Sequence, residues 1–152
     1  MTSRATLQFV TVELKFSLDV EDGWPPVAVE GLPFTKIDDT YRLETSPLFV
    51  KDLSVGDVIA PIFDENGFIS TWVYKKKSNR TTIWLLRIAD GGNIEKVLAQ
   101  LRTLDCNTVQ LPQYGCFSID VPAECPISTI DSCLEQLDRE RVAIAYPSYR
   151  HE

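Results

Sequence analysis

Four aspartates carry the side chains of this sequence that are best suited to acid–base chemistry. They are Asp22, Asp57, Asp64 and Asp120. Catalysis would require such carboxylates to converge with a base, a nucleophile or a metal ion. Each lies at a predicted strand end or turn, where aspartate is favoured because its side chain bonds nearby backbone amides. The sequence therefore favours a structural role for each carboxylate and predicts no enzymatic activity.

The other residues with catalytic or metal-binding chemistry are one histidine and four cysteines. His151 lies next to the end of the chain, where a mobile tail is a poor place for a ligand or a general base. The cysteines are Cys106, Cys116, Cys125 and Cys133. No two of them have the Cys-x-x-Cys spacing of a zinc or redox site. We therefore expect no metal and no cofactor, and we expect the cysteines to be reduced and mostly buried.

The composition limits the partners as well as the fold. A chain of 152 residues with 44% hydrophobic residues can bury the core of one domain. Its formal net charge of -7 argues against nucleic acid or an anionic membrane as the main ligand and favours a basic partner. The N-terminal residues show no signal-peptide core and no membrane span. We therefore expect a cytoplasmic protein that binds neither nucleic acid nor membrane.

The elements that would position these groups differ between the two halves of the chain. Apolar and polar residues alternate from Val10 to Val20, which predicts a strand with one buried face. Asp64 to Gly67 reads Asp-Glu-Asn-Gly, a hairpin signal between two strands. Lys76 to Arg80 reads as a second hairpin tip, followed by a strand from Thr81 to Ile88. The first half is therefore predicted to form a small, bent antiparallel sheet or barrel.

The second half alternates strands with amphipathic helices. A helix from Ile94 to Leu104 is predicted by its apolar spacing, with Asn93 as its cap. Two short strands follow, then a helix that starts near Pro126, then a strand from Val142 to Tyr146. Counted from Thr81, this is the order of a ferredoxin-like βαββαβ unit. We predict an α+β fold in one domain over residues 1–152, with a β-rich sub-lobe at 5–78 and a ferredoxin-like sub-lobe at 79–152.

Charged surface residues offer two kinds of partner site. Asp131, Glu135 and Asp138 have i, i+4 and i, i+3 spacing, which predicts one acidic stripe on the second helix. The stripe is either a solvated face or a patch that meets a cationic partner. Asp38 and Asp39 form a second acidic candidate in a loop.

Basic and aromatic residues mix at one predicted hairpin. Lys75 to Lys77 and Arg80 are flanked by aromatic side chains, as in a nucleic-acid groove. Lysines also protect an exposed edge strand from aggregation. Because the negative net charge argues against nucleic acid, we favour a solvated hairpin end that is protected by its lysines. Trp72, Trp84 and Tyr114 are instead candidates for the lining of a small-molecule pocket between the lobes.

Three stretches of the first half carry a resemblance. They are FSLDVEDGWPPVAVEGL, YRLETSPLFVKDLSVGDVIAP and KKSNRTTIW. Over residues 10 to 90 the chain resembles a family of small, mostly bacterial domains of unknown function, the group numbered four-two-six-five. The motif residues are Asp22, Gly23, Trp24, Pro25, Pro26, Gly56 and Asp57. A motif shared by members with different partners is expected to hold the fold together, with Trp24 packed over the first sheet.

The resemblance names no activity, but it suggests a class of function. Small acidic cytoplasmic proteins of bacteria often resemble immunity proteins, which block a toxin delivered by a neighbouring cell. We therefore hypothesise an immunity protein that covers the active site of a basic toxin domain with Asp38, Asp39, Asp131, Glu135 and Asp138. The alternative is a small-molecule-binding or regulatory module with its pocket between the two lobes.

Overall fold

The structure, a computed structural model, describes residues 9–151, which form a β-barrel followed by a four-stranded sheet with two helices. The barrel strands are β1 (Val10–Ser17), β2 (Val29–Ile37), β3 (Thr40–Leu43), β4 (Val58–Phe63) and β5 (Ile69–Lys76). The second lobe contains β6 (Thr81–Arg87), α1 (Ile94–Thr103), β7 (Asn107–Leu111), β8 (Cys116–Val121), α2 (Ile127–Leu134) and β9 (Val142–Ser148). Its strand order, β7-β8-β6-β9, is ferredoxin-like. The predicted α+β fold is confirmed. The predicted outer bounds, at residues 1, 5 and 152, lie outside the described residues.

The barrel core follows from alternation on short strands. Leu14 and Phe16 of β1 point inward, as the period of two predicts, although the strand ends three residues before Val20. The buried apolar side chains are Leu14, Phe16, Leu32, Phe34, Leu43, Val50, Leu53, Ile59 and Ile69. The first lobe therefore has a hydrophobic core of its own.

The barrel closes along one weak seam. Neighbouring strands pair antiparallel from β1 to β5, and β1 meets β5 at a single parallel pair, Phe16 with Ile69. Beyond Ile69, the described partner of β5 is β4, on one side only. The chain after Ser17 and the strand after Ile69 therefore diverge and open a cleft in the barrel wall.

The two helices cover one face of the second sheet. Ile94, Val97, Leu98 and Leu101 of α1 are buried, as their spacing predicts. Asn93 occupies the N-cap position of α1, as predicted, but its backbone is left-handed and its side chain makes no capping bond. α2 ends at Leu134, before Glu135 and Asp138, which were predicted to lie on the second helix. Neither helix of the described chain is long and apolar enough to cross a membrane.

The predicted second hairpin is wrong. β5 belongs to the barrel and β6 to the second sheet, so the segment between Lys76 and Thr81 links the lobes. Lys77 lies over the ring of Tyr74, with 4.5 Å between Nζ and the ring centroid. The sequence shows a turn here, but it does not show that the next strand enters another sheet.

Polar side chains join the barrel to the open face of the second sheet. The Ser54 hydroxyl lies 2.8 Å from the Ser148 hydroxyl and 3.0 Å from that of Thr82. The Trp84 indole N–H donates to the carbonyl of Pro47 at 2.7 Å. In the described chain, every buried side-chain nitrogen and oxygen has a hydrogen-bond partner. The lobes are therefore held by a satisfied polar interface, which we call the interlobe seam.

His151 is part of this folded structure, and the expectation of a mobile tail is wrong. Its side chain is buried, with Nδ1 2.6 Å from the Thr81 hydroxyl and Nε2 2.8 Å from the carbonyl of Pro122. Both ring nitrogens are engaged by neighbouring groups. The residue anchors the segment after β9 to the second lobe.

Candidate functional site

A groove between the two lobes forms a broad concave surface on the described residues. Its volume is about 630 Å³, within the range of roughly 300–1,000 Å³ typical of ligand pockets. Its lining residues come from five segments and are Phe16, Ser17, Leu18, Asp19, Glu21, Trp24, Pro25, Leu48, Phe49, Val50, Lys51, Asp52, Ile69, Ser70, Trp72 and Trp84. We call this surface the interlobe groove. It lies where β1 and β5 separate in the barrel wall, on the side that faces the second sheet.

Aromatic rings form the walls of the groove. Trp72 packs edge-on against Phe16, with 5.7 Å between ring centroids, and so extends the barrel core to the surface. Trp24 meets Phe49 edge-on at 6.1 Å and remains 46% exposed. Trp24 therefore contacts a loop and solvent, in contrast to the expected packing over the first sheet. Such pairs fix the ring orientations and leave flat apolar surface facing the cleft.

Glu30 holds the loop that forms one wall. Its Oε2 accepts a bond from the Leu48 amide at 2.7 Å, and its Oε1 accepts bonds from Phe49 at 2.9 Å and Val50 at 3.0 Å. Burial raises the pKa of the Glu30 carboxyl above its ordinary value, although these amides favour its charged form. One carboxylate thus satisfies three successive backbone donors of a segment outside any strand or helix.

We expect Glu30→Gln to destabilise the protein by about 1–3 kcal/mol, because glutamine offers one acceptor oxygen to three partly buried backbone donors. Urea unfolding followed by circular dichroism measures this loss. Glu13→Gln, at an exposed position on β1, is the matched control and should change stability by less than about 0.5 kcal/mol. Equal effects of the two substitutions would contradict the role assigned to Glu30.

The predicted pocket residues are brought together only in part. Trp72 and Trp84 both line the interlobe groove, whereas Tyr114 lies in the 3₁₀ turn before β8, outside the groove lining. Sequence reasoning missed Phe49 and the segment around it. The apolar run Leu48 to Val50 was the available signal.

Two of the four candidate catalytic carboxylates are neutralised by arginines. Asp57 is fully buried and accepts two bonds of 2.9 Å from Arg150. Asp120 is also fully buried and accepts bonds of 2.9 and 2.7 Å from Arg80. For Asp120 the predicted bonding to nearby amides is wrong, because its partners are the side chains of Arg80 and Asn107. These groups stabilise the fold, and neither lines the groove.

The other two carboxylates lie at turns. Asp64 accepts bonds from the amides of Asn66 and Phe68, which is the structural role predicted for it. Asp22 is exposed, with a positive φ of 55° next to Gly23, and the Trp24–Pro25 peptide bond that follows is cis. Within residues 9–151, no group of three histidine, cysteine or acidic side chains converges in a way that could hold a metal ion.

The predicted acidic stripe does not exist as one helix face. Asp131 and Glu135 are exposed at the end of α2, but Asp138 lies beyond the helix and pairs with Arg141 at 3.0 Å. Asp38 and Asp39 lie exposed between β2 and β3, at a hairpin tip. The five predicted partner residues therefore fall into two separate exposed pairs and one residue with a local ion-pair role.

The cysteines are free, and three of the four are buried, as expected. Burial raises the pKa of the Cys106 thiol to about 12, with Cys125 and Asp120 adding to the effect. Burial also raises the pKa values of Cys116 and Cys125. These thiols hold their protons at neutral pH, which makes them poor nucleophiles.

The comparisons with known proteins support the fold and name no activity. A family profile described as "Domain of unknown function (DUF4265)" matches residues 30–144. No curated protein matches the sequence. The fold is similar to that of a hypothetical protein from Neisseria gonorrhoeae, whose crystal structure aligns with a TM-score of 0.70 and 16% sequence identity. The alignment covers 93% of this chain and 98% of that chain.

The matched range differs from the expected one. It begins after Trp24 and Pro25, which carried much of the resemblance, and it runs through both lobes as far as the middle of β9. Gly56 and Asp57 lie inside it. Because the profile covers most of the described residues, the chain belongs to the DUF4265 family of domains of unknown function.

Proposed function

We propose that this domain acts by binding and that the interlobe groove is its ligand site. The observation that carries the proposal is the convergence of Trp24, Trp72 and Trp84, from three separate segments, on one cleft of about 630 Å³. Exposed clusters of large aromatic side chains mark interaction sites, because a domain gains nothing in stability by leaving them in water. The groove therefore suits a ligand with flat or branched apolar groups.

The chemistry of the groove supports binding without a reaction. Its ionisable side chains are Asp19, Glu21, Lys51 and Asp52, all exposed at the rim. Among its described lining residues there is no histidine or cysteine. An acid–base or nucleophilic mechanism would need a positioned pair of such groups within reach of one reacting atom. These features support recognition as the proposed function of the groove.

Ligand binding can be tested by thermal shift with a panel of aromatic amines, aromatic acids, nucleosides and alkylammonium compounds. We expect at least one class to raise the melting temperature of the native protein, and we expect Trp24→Ala to weaken its binding at least tenfold. Tyr149→Ala is the control, since Tyr149 is 51% exposed, close to the 46% of Trp24, and lies outside the groove.

Two results would contradict this assignment. A ligand that binds native protein and Trp24→Ala equally would place the site elsewhere. A panel that produces no shift, together with no binding of the peptide probes described below, would remove the groove as a ligand site.

The acidic surface supports a second function, that of a cytoplasmic immunity protein which occludes the active site of a basic toxin domain. The supporting observation is the net charge of -7, with exposed carboxylates at Asp38, Asp39, Asp131 and Glu135. Complementary charge accelerates association with a basic partner and requires no catalytic group. Asp138 contributes less, because Arg141 already neutralises it.

Charge reversal tests the second function. We expect Asp38→Lys with Asp39→Lys, or Asp131→Lys with Glu135→Lys, to weaken binding to a catalytically inactive candidate toxin at least tenfold, mainly through a slower association rate. Surface plasmon resonance gives the rates, and circular dichroism checks the fold. Unchanged rates in both double variants would show that neither acidic pair lies at the interface.

A further inference from the structure

One wall of the interlobe groove is the edge of a β-strand. β1 and β5 pair only at Phe16 and Ile69, and beyond this pair the two chains run in the same direction but separate. Ser17 to Asp19 then line one side of the groove, and Ser70 and Trp72 line the other. The groove is therefore the gap between β1 and β5 in the barrel wall. Along this gap, β4 is the only described partner of β5.

The residue opposite Trp72 indicates how this edge is oriented. Pro61 of β4 pairs with Trp72, and proline has no N–H to donate to a neighbouring strand. The position favours a non-hydrogen-bonded pair, in which the N–H and C=O of Trp72 point away from β4. The β4–β5 register shifts between Ile62 and Phe63, next to Ser70, so the regular part of this edge begins at Thr71. From there it presents donors and acceptors with the spacing of a strand, which is a template for another extended chain.

The charged side chains at the rim of the interlobe groove favour an extended chain that carries basic residues. Asp19, Glu21 and Asp52 contribute three carboxylates against the single ammonium group of Lys51. Basic side chains of an entering segment would meet these acids, while its apolar side chains would alternate towards the tryptophans. A small molecule could use the aromatic walls, but it would leave most of the strand edge unused.

We propose that the occupant of the groove is an extended basic segment of a partner polypeptide, which adds as a strand to β5 at Ser70 to Trp72. This inference rests on the groove being the ligand site. Main-chain hydrogen bonds to the edge supply affinity, the aromatic walls hold alternate side chains, and the rim acids select lysine and arginine. The part of this edge that lines the groove, Ser70 to Trp72, spans three residues and takes a short strand.

Selection from a phage-displayed library of random heptapeptides on the native protein tests the proposal. We expect enrichment of peptides that alternate basic and apolar residues. A selected peptide is then synthesised with alternate backbone amides N-methylated, which removes donors but keeps charge and side chains. One N-methyl register should weaken binding at least tenfold by isothermal titration calorimetry, and binding should shift the NMR amide signals of Ser70 to Trp72.

A charge-matched pair of variants tests the rim. A triple variant, Asp19→Asn with Glu21→Gln and Asp52→Asn, should weaken binding of the selected peptide at least tenfold. Glu65→Gln, Glu95→Gln and Glu140→Gln make the same change of charge at exposed positions outside the groove and should leave its affinity unchanged.

The outcomes separate this proposal from the function it rests on. Groove peptides that tolerate N-methylation in both registers would overturn strand addition. Failure to enrich any peptide, while small compounds bind in a Trp24-dependent manner, would also overturn it and leave the ligand site standing. Failure of both peptides and compounds would overturn both.

Discussion

Arg150→Ala should lower the free energy of unfolding by about 3–5 kcal/mol, because it leaves a fully buried carboxylate without its counter-charge. Arg150 donates from both terminal nitrogens to Asp57 at 2.9 Å and also bonds the carbonyl of Ser78 at 2.8 Å. Because Asp57 precedes β4 and Arg150 follows β9, this ion pair joins the two lobes and is part of the interlobe seam. The amides of Ser54 and Ser78 complete the set of donors around Asp57. Urea unfolding followed by circular dichroism gives the expected loss.

A second ion pair serves as the control. Arg42 pairs with Glu44 at 2.9 Å, but both side chains are more than one third exposed. Arg42→Ala should therefore change stability by at most about 1 kcal/mol. Adding Asp57→Asn to Arg150→Ala should recover part of the loss, because it removes the orphaned charge. Equal losses for the two arginine variants would show that the buried pair does not stabilise the interlobe seam.

Phe34→Ala should destabilise the protein by about 3–5 kcal/mol through the cavity it leaves in the barrel. Phe34 is fully buried and stacks on Phe16, with 5.9 Å between ring centroids. Because the interlobe seam couples the lobes, we expect the second lobe to unfold in the same transition. Cys106 reports on that lobe, since burial raises its pKa to about 12 and protects it from alkylation until the lobe opens.

The measurement compares two signals across a urea series, circular dichroism and alkylation of Cys106 read by mass spectrometry. Both should move to lower urea together in Phe34→Ala. Phe63→Ala, at a 49% exposed position at the end of β4, is the matched control and should move neither signal appreciably. A barrel that unfolds while Cys106 stays protected would contradict the single domain predicted for this chain.

Elements with a clear period were predictable, whereas those built from atypical strand residues were not. The inward face of β1 follows directly from its alternation. β2 was missed, because Gly31 and Pro33 within it argue against a strand. Pro33 is tolerated opposite Glu13, and its carbonyl accepts the amide of Glu44 just beyond β3. Tertiary pairing therefore overrides the local preference of this segment.

The candidate site was predictable only where residue type alone pointed to it. Trp72 and Trp84 were expected between the lobes and do line the groove. Tyr114 was expected there as well, but it lies in the 3₁₀ turn before β8, outside the groove. Glu30 carries no sequence signal of its role, because its three amide partners lie 18 to 20 residues away. Long-range hydrogen bonds of this kind become visible only in the folded chain.

The sequence separation within the interlobe seam also sets an order of events in time. Every barrel strand precedes residue 77, every strand of the second sheet follows residue 80, and Asp57 and Arg150 are 93 residues apart. Contacts between such distant residues close long loops of chain. The entropic cost of closing a loop rises with its length, so we expect these contacts to form last. We therefore expect the seam to form after the rate-limiting barrier of folding. Breaking it should leave the refolding rate unchanged and speed unfolding, so the seam governs how long the native state lasts.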